Sequence, residues 1–301
     1  MSSTSKEPLV SVVIPTHNHA HYLGEAIASA LSQVDVRPEI IVVDDGSTDN
    51  PAAVVDAYPG VRFLRQPNSG LAAARNTGWQ HATGTFVVFL DADDRLLPNA
   101  LRTNVQTFST CPDCGFVYAG YAFIDHGGRL LRRAHLTEIS ADPYASFLRG
   151  NVIGMHATVM YRRDVLEDSG GFDPSLRACE DYDLYLRISR THPVAFSTET
   201  VAEYRLHDTN MSRNLPFMLH WALAVLDKQW PTIANKPEYR AAYRAGRRGW
   251  CRYYVGQQIR QLRRNHRLGL THDLAKMVMR APRPVLEVAA AKALRRAFPR
   301  R

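Results

Sequence analysis

The sequence predicts an α/β protein built on a mostly parallel central sheet flanked by helices, followed by a basic helical extension. Three observations carry this. Short apolar, β-branched runs alternate with segments of helical periodicity, four such pairs fit within residues 9–108, and the runs end abruptly in polar residues.

Residues 9–14 (LVSVVI) read as a buried strand, and 20–33 carry Leu23, Ile27, Ala30 and Leu31 at helical spacing. Residues 39–43 are a second strand, stopping at Asp44, Asp45 and Gly46. Residues 51–58 form a short helix, 61–64 a third strand, 70–81 an alanine-rich helix closed by Gly84, and 85–90 a fourth strand. There, in FVVFLDADDRLLP (86–98), an apolar run breaks into Asp91, Asp93 and Asp94 before Pro98 introduces a helix over 99–108. Thr16, His17 and Asn18, then Asp44 and Asp45, then Asp91 and Asp93 thus gather at one edge, where open α/β sheets bind ligands. The alternative is that Asp93 or Asp94 only caps the next helix.

Three carboxylates so close repel one another and call for a positive charge. A hard divalent cation, Mn²⁺ or Mg²⁺, suits them, since such ions bind through one or two carboxylates plus substrate phosphates. The sequence has neither GxGxxG after the first strand nor GxxxxGK[ST], so phosphate is not held by a glycine-rich loop. Metal-bound acids remain, with Arg75 as a fixed cation. Asp45 suits a nucleoside, because a carboxylate accepts hydrogen bonds from ribose hydroxyls or a base N–H.

The 301 residues, 45% hydrophobic, suffice for one large domain with an appendage, or for two modest ones. No run of 18 apolar residues reads as a membrane span, and the polar start MSSTSKEP does not read as a secretory signal, so a cytoplasmic protein is expected. Cys111, Cys114, Cys179 and Cys251 fit a reducing compartment, and the lone CxxC has no second pair or histidine at zinc spacing. Charge is divided unevenly. Residues 215–301 hold 19 of the 37 Lys and Arg but 4 of the 29 Asp and Glu, a formal +15 that leaves −7 for the rest. Helices are expected over 217–229, 238–263, 270–280 and 285–298. The charge asymmetry suggests a polyanion, and nucleic-acid binding needs more than basicity. Arg residues interleaved with Trp250, Tyr253, Tyr254 and Ile259 most commonly form a solvated helical face, while the rings of Trp250, Tyr253, Tyr254 and Phe298 suit an anionic membrane surface.

VSVVIPTHN, IIVVDDGSTDN, NSGLAAARNTG and FLDADD resemble, in order and spacing, the family 2 glycosyltransferases of the GT-A fold. The resemblance spans roughly residues 9–210, with GGFDPSLRACEDYDLYLRI and YRLHDTNMS similar to later family motifs. It divides the chain into a GT-A domain, 1–214, and the basic extension, 215–301. It implies nucleotide-sugar contacts at Pro15, Thr16, Asn18, Asp45 and Arg75, and a DxD motif at Asp91, Ala92 and Asp93. Asp93 and His207 would ligate the metal, with Asp91 near the ribose or reaching the metal through water. Asp181 would be the general base of an inverting transfer, with Glu180 positioning or tuning it. The implied donor is a nucleoside diphosphate sugar, most often a UDP-sugar, and the acceptor a glycan or lipid-linked hydroxyl in surface polysaccharide or glycolipid synthesis. A non-catalytic nucleotide-sugar-binding or scaffolding subunit is the other reading; it would have no need of Asp181. Of the remaining motifs, His17, His19 and His21 are spaced to fall on different sides of a helix start, which speaks against a metal site there. Gly170-Gly171-Phe172 reads as a turn needing positive φ, and His156 falls loosely near the sugar or acceptor.

Overall fold

The computed structural model describes residues 9–264 and Met277. They fall into two compact units: one made of the chain up to Tyr144 plus Val152–His207, the other of Ala145–Asn151 and the chain from Asp208 onward. The boundary expected from composition at 214/215 remains our proposal for where the basic extension begins.

In the first unit β1 (Val10–Thr16), β2 (Glu39–Asp44), β3 (Arg62–Arg65) and β4 (Phe86–Phe89) alternate with α1 (Ala20–Leu31), α2 (Pro51–Val55) and α3 (Leu71–Gln80). All four strands are parallel, in the order β3-β2-β1-β4. The chain therefore builds outward from β1 on one side and then jumps to its other side. That reversal places a crevice at the carboxyl ends of β1 and β4. Val12, Ile14, Leu23, Ile27, Val42 and Val88 are buried in the core beneath α1, each worth about 1.5–3 kcal/mol relative to exposure. On the other face α3 lies so close to β1 that a Cβ at Gly78 would collide with Val13 Cγ1.

Beyond β4 the sheet becomes mixed. After the short β5 (Arg95–Leu96) and α4 (Ala100–Thr110) come β6 (Phe116–Ile124), β7 (Leu130–Arg133), β8 (Met160–Arg162), α6 (Arg163–Asp168), α7 (Glu180–Ile188) and β9 (Val194–Arg205). β8 is antiparallel to β4 and β6, while the long β9 runs parallel to β6. α5 (Pro143–Arg149) lies between β7 and β8 in the chain. The Gly170-Gly171 turn has the positive φ expected of it, 73° and 68°.

One expectation is corrected. Cys111 and Cys114 are joined in a disulfide, since the turn between α4 and β6 brings their Cα atoms to 5.5 Å; Cys179 and Cys251 are free.

The second unit contains α8 (Leu215–Asp227), α9 (Trp230–Ile233) and α10 (Pro237–Arg264). Arg244, Arg248 and Arg252 stand exposed at four-residue spacing on α10, with Tyr253 beside them 52% exposed. Tyr254, expected at an interface, is instead buried and stacked on Trp250, because one turn places it on the helix's packed side. The helices expected at 270–280 and 285–298, and Phe298, lie outside the described residues. Among the described residues, no helix is long and apolar enough to cross a membrane.

Candidate active site

The site is assembled from the loops at the carboxyl ends of β1, β2 and β4, the start of α7 and the end of β9. Its floor is Arg75 on α3, only 2% exposed. Close packing of α3 on β1 brings this guanidinium under the strand ends. It donates through Nη2 to Asp91 Oδ1 at 2.7 Å and through Nη1 to Glu180 Oε1 at 2.5 Å. Arg75 and Glu180, 105 positions apart in sequence, are thereby joined. Arg75, expected as a fixed cation, is a buried bridge between Asp91 after β4 and Glu180 at the start of α7.

Electrostatics follow from that shortage of positive charge. Burial alone would lower the Arg75 pKa, but Asp91, Glu180 and Asp181 outweigh it and hold it above its usual value. Glu180 is pushed up to about 7 by burial, against the pull of Arg75 and with the help of Asp181. Asp181 is also raised, by burial opposed by Arg75. One guanidinium facing three carboxylates leaves them short of compensation.

Glu180 and Asp181 occupy the first turn of α7, after Cys179 in the left-handed region (φ 60°), a conformation costly for a non-glycine residue. Glu180 is buried and Asp181 half-buried. Asp181 Oδ1 accepts from the Tyr182 N–H at 2.7 Å. The two acids are held differently, Glu180 by Arg75 and Asp181 by the Tyr182 N–H.

At the end of β4, neither Asp93 nor Asp94 caps the following helix, whose N-cap is Asn99. Asp93 Oδ2 lies 2.8 Å from His207 Nε2. Asp94 turns inward, 3% exposed, and accepts from the Arg205 N–H at 2.8 Å. Burial, then Asp93 and Asp91, raise the Asp94 pKa well above the ordinary range.

Asp45 is buried and heavily engaged: Gln66 Nε2 and the Ser69 N–H reach Oδ1, and the Gly70 N–H reaches Oδ2, all at 2.8 Å. It closes the loop before α3. Asn18, at φ 58°, ties the end of β1 to the β2 loop by accepting from the Thr48 N–H at 2.8 Å. Thr16 Oγ1 is buried without a hydrogen-bond partner. Pro15 and Ala92 are buried.

Histidines gather more than their spacing suggested. The His19 ring lies 5.9 Å from that of His207 and 6.2 Å from that of His21. His156 is buried instead in an aromatic cluster, stacked on Phe89 and 2.9 Å from Tyr161 Oη. Burial, then Arg75, holds it well below the usual imidazole range. Sequence reasoning missed Arg205 altogether. Its signal was the YRLHD stretch, where an arginine two residues before His207 shares its side of an extended chain.

Comparisons with known proteins identify the class to which this sheet and its acid loop belong. Residues 11–170 match the model of glycosyl transferase family 2, and the chain belongs to that family. It is 32% identical over 219 residues to the putative teichuronic acid biosynthesis glycosyltransferase TuaG of Bacillus subtilis (strain 168), covering 70% of this chain and 84% of TuaG. The structure resembles S. aureus TarS 1–349 in complex with UDP-GlcNAc (TM-score 0.62, 16% identity, 94% of this chain and 92% of that one). It also resembles the mannosyltransferase PcManGT of Pyrobaculum calidifontis in complex with GDP-Man and Mn²⁺ (TM-score 0.62, 18% identity, 99% and 89%). These likenesses establish the GT-A fold. The chain spans about a third of the length of several other curated relatives it matches.

Proposed function

We propose that this glycosyltransferase is inverting and metal-dependent, moving a sugar from a nucleoside diphosphate sugar, foremost a UDP-sugar, to a hydroxyl of a glycan or lipid-linked acceptor in surface polysaccharide or glycolipid synthesis. The observation that carries the reading is the meeting of the β4-end acids and the α7 acids on Arg75. Donor-side and acceptor-side groups are thereby fixed relative to one another, and a protein that only bound the donor would have no use for Asp181. The names of TuaG and of the UDP-GlcNAc and GDP-Man complexes support the substrate class.

The residues present fit a divalent ion. Asp93 and His207 bring one carboxylate oxygen and one imidazole nitrogen within 2.8 Å of each other, both side chains largely sheltered. Among the described residues no group of three or more His, Cys, Asp or Glu is arranged to hold an ion alone. Such a half-set suits an ion whose remaining positions are filled by diphosphate oxygens and water. Bound there, Mn²⁺ or Mg²⁺ would act as a Lewis acid on the departing diphosphate.

The chain's own residues supply the rest. Asp181 accepts the proton of the acceptor hydroxyl as its oxygen bonds to the anomeric carbon, while the bond from that carbon to the diphosphate oxygen breaks on the opposite face. The raised pKa of Asp181 strengthens it as a base. Glu180 and Arg75 hold α7 against the donor side. On α10, the Arg244, Arg248, Arg252 and Tyr253 face suits an anionic lipid surface, which would bring lipid-linked acceptors to the enzyme.

The test is a thermal-shift panel of UDP-, GDP- and other nucleotide sugars with Mn²⁺, followed by release of nucleoside diphosphate. Stabilisation by a donor and its slow, Mn²⁺-dependent hydrolysis are expected. No stabilisation and no release across the panel would overturn the reading.

A further inference from the structure

The acid loop after β4 places two adjacent carboxylates, Asp93 and Asp94, in opposite surroundings. Asp93 faces His207 at 2.8 Å, while Asp94 is buried in the protein. What separates them is Arg205, the last residue of β9 and only 1% exposed.

Its main-chain N–H is taken by Asp94 Oδ1 at 2.8 Å, which keeps that carboxylate turned inward. Its Nε donates at 2.8 Å to the main-chain oxygen of Asp93, not to the carboxylate. The Asp93 backbone is thereby pinned while its side chain stays directed at His207. Nη1 donates to the His126 carbonyl at 3.0 Å and Nη2 to Glu25 Oε2 at 2.6 Å, so β6–β7 and α1 brace the guanidinium from two further sides. The Tyr22 ring receives the guanidinium at 4.8 Å and also packs against the His207 ring at 5.5 Å. His207 follows Arg205 by two residues, so both members of the Asp93–His207 pair are referred to this one side chain.

We infer that Arg205 is the positioning residue of the cation site: it selects Asp93 over Asp94 as the ligand and sets the separation of Asp93 and His207. The inference rests on the metal reading given above. Lysine keeps the charge at 205 but cannot form the planar fork that serves the Asp93 carbonyl, His126 and Glu25 together.

The test measures Mn²⁺ binding by electron paramagnetic resonance, with no sugar transfer involved, in saturating UDP and in a parallel series with GDP. Wild type, Arg205→Lys and Glu25→Gln are compared, with circular dichroism and thermal unfolding recorded without metal. Residues that orient metal ligands typically contribute about 10- to 100-fold in affinity, and a loss in that range is expected for Arg205→Lys. Glu25→Gln leaves the arginine in place and should give a smaller loss in the same direction; it carries the test if Arg205→Lys does not fold. A purely structural role would lower the unfolding temperature and leave the Mn²⁺ affinity of the folded protein unchanged, and that result overturns the inference. Wild type binding Mn²⁺ while both variants bind equally well overturns it alone. Wild type binding no Mn²⁺ with either nucleotide overturns the metal reading together with it.

Discussion

Replacing Glu180 by glutamine should stabilise the protein at alkaline pH, although it removes a carboxylate 2.5 Å from a buried arginine. Glu180 is raised from its ordinary 4.5 to about 7. A folded pKa above the unfolded one means that the native state binds the proton more tightly. The stability contributed by that proton is fully present below 4.5 and is lost as pH rises through about 7. At about 1.4 kcal/mol per pKa unit, ionised Glu180 costs the folded state about 3 kcal/mol at pH 8, the attraction of Arg75 being already included. Glutamine has the shape of the protonated acid and does not ionise. Glu180→Gln should therefore match wild type near pH 4.5 and exceed it at pH 8, by a melting temperature higher by about 2–4 °C per kcal/mol. Calorimetry or chemical denaturation from pH 4.5 to 8.5 reads this directly. A residual slope should persist from Asp181 and Asp94, both raised by burial. If Glu180→Gln is less stable than wild type at pH 8 and the deficit vanishes toward pH 5, the ion pair dominates and the reasoning from one cation among three acids is refuted.

Other variants separate the proposed roles. Asp181→Asn should bind the nucleotide sugar normally and turn over about 10² to 10⁴ more slowly, checked by calorimetry beside steady-state kinetics; equal losses in both would make Asp181 structural. Asp93→Asn should abolish metal-dependent turnover in a folded protein, whereas His207→Ala should raise the Mn²⁺ requirement; Mn²⁺ titrations of initial rate distinguish the two from bystanders. Full-length protein should float with anionic but not neutral liposomes, less so at high salt, and reversing Arg244, Arg248 and Arg252 to glutamate should weaken flotation; unchanged flotation would exclude this face of α10.

The parts of the fold legible in the sequence were those governed by local pattern. The β-branched runs of β1, β2 and β4 and the helical spacing in α1 are recorded within a few residues each, and their abrupt polar ends located the edge of the sheet. The second half was harder to read, because β6, β8 and β9 pair across long separations that no local period encodes. Likewise the acids Asp91, Asp93, Glu180 and Asp181 stand out as charges after apolar runs or at a helix start. Their partners do not. Arg75 sits in an alanine-rich helix that looks solvated, and only close packing through Gly78 shows that it is buried. Arg205 was hidden in the same way: one arginine at the end of a strand carries no sign that the loop after β4, the β6–β7 loop and α1 converge on it. The engagement of Asp45 by Gln66, Ser69 and Gly70 similarly depends on a loop geometry that spacing alone does not reveal.

Single displacement from a nucleoside diphosphate sugar, with Asp181 taking the proton, is tested most directly by the configuration of the first product. With a donor chosen from the thermal-shift panel and Mn²⁺ present, water in the acceptor position releases the free sugar. Proton NMR recorded before mutarotation then reads its anomeric form. The form opposite to that of the donor is predicted. Retention of the donor's configuration would contradict direct attack from the Asp181 side and require a different mechanism.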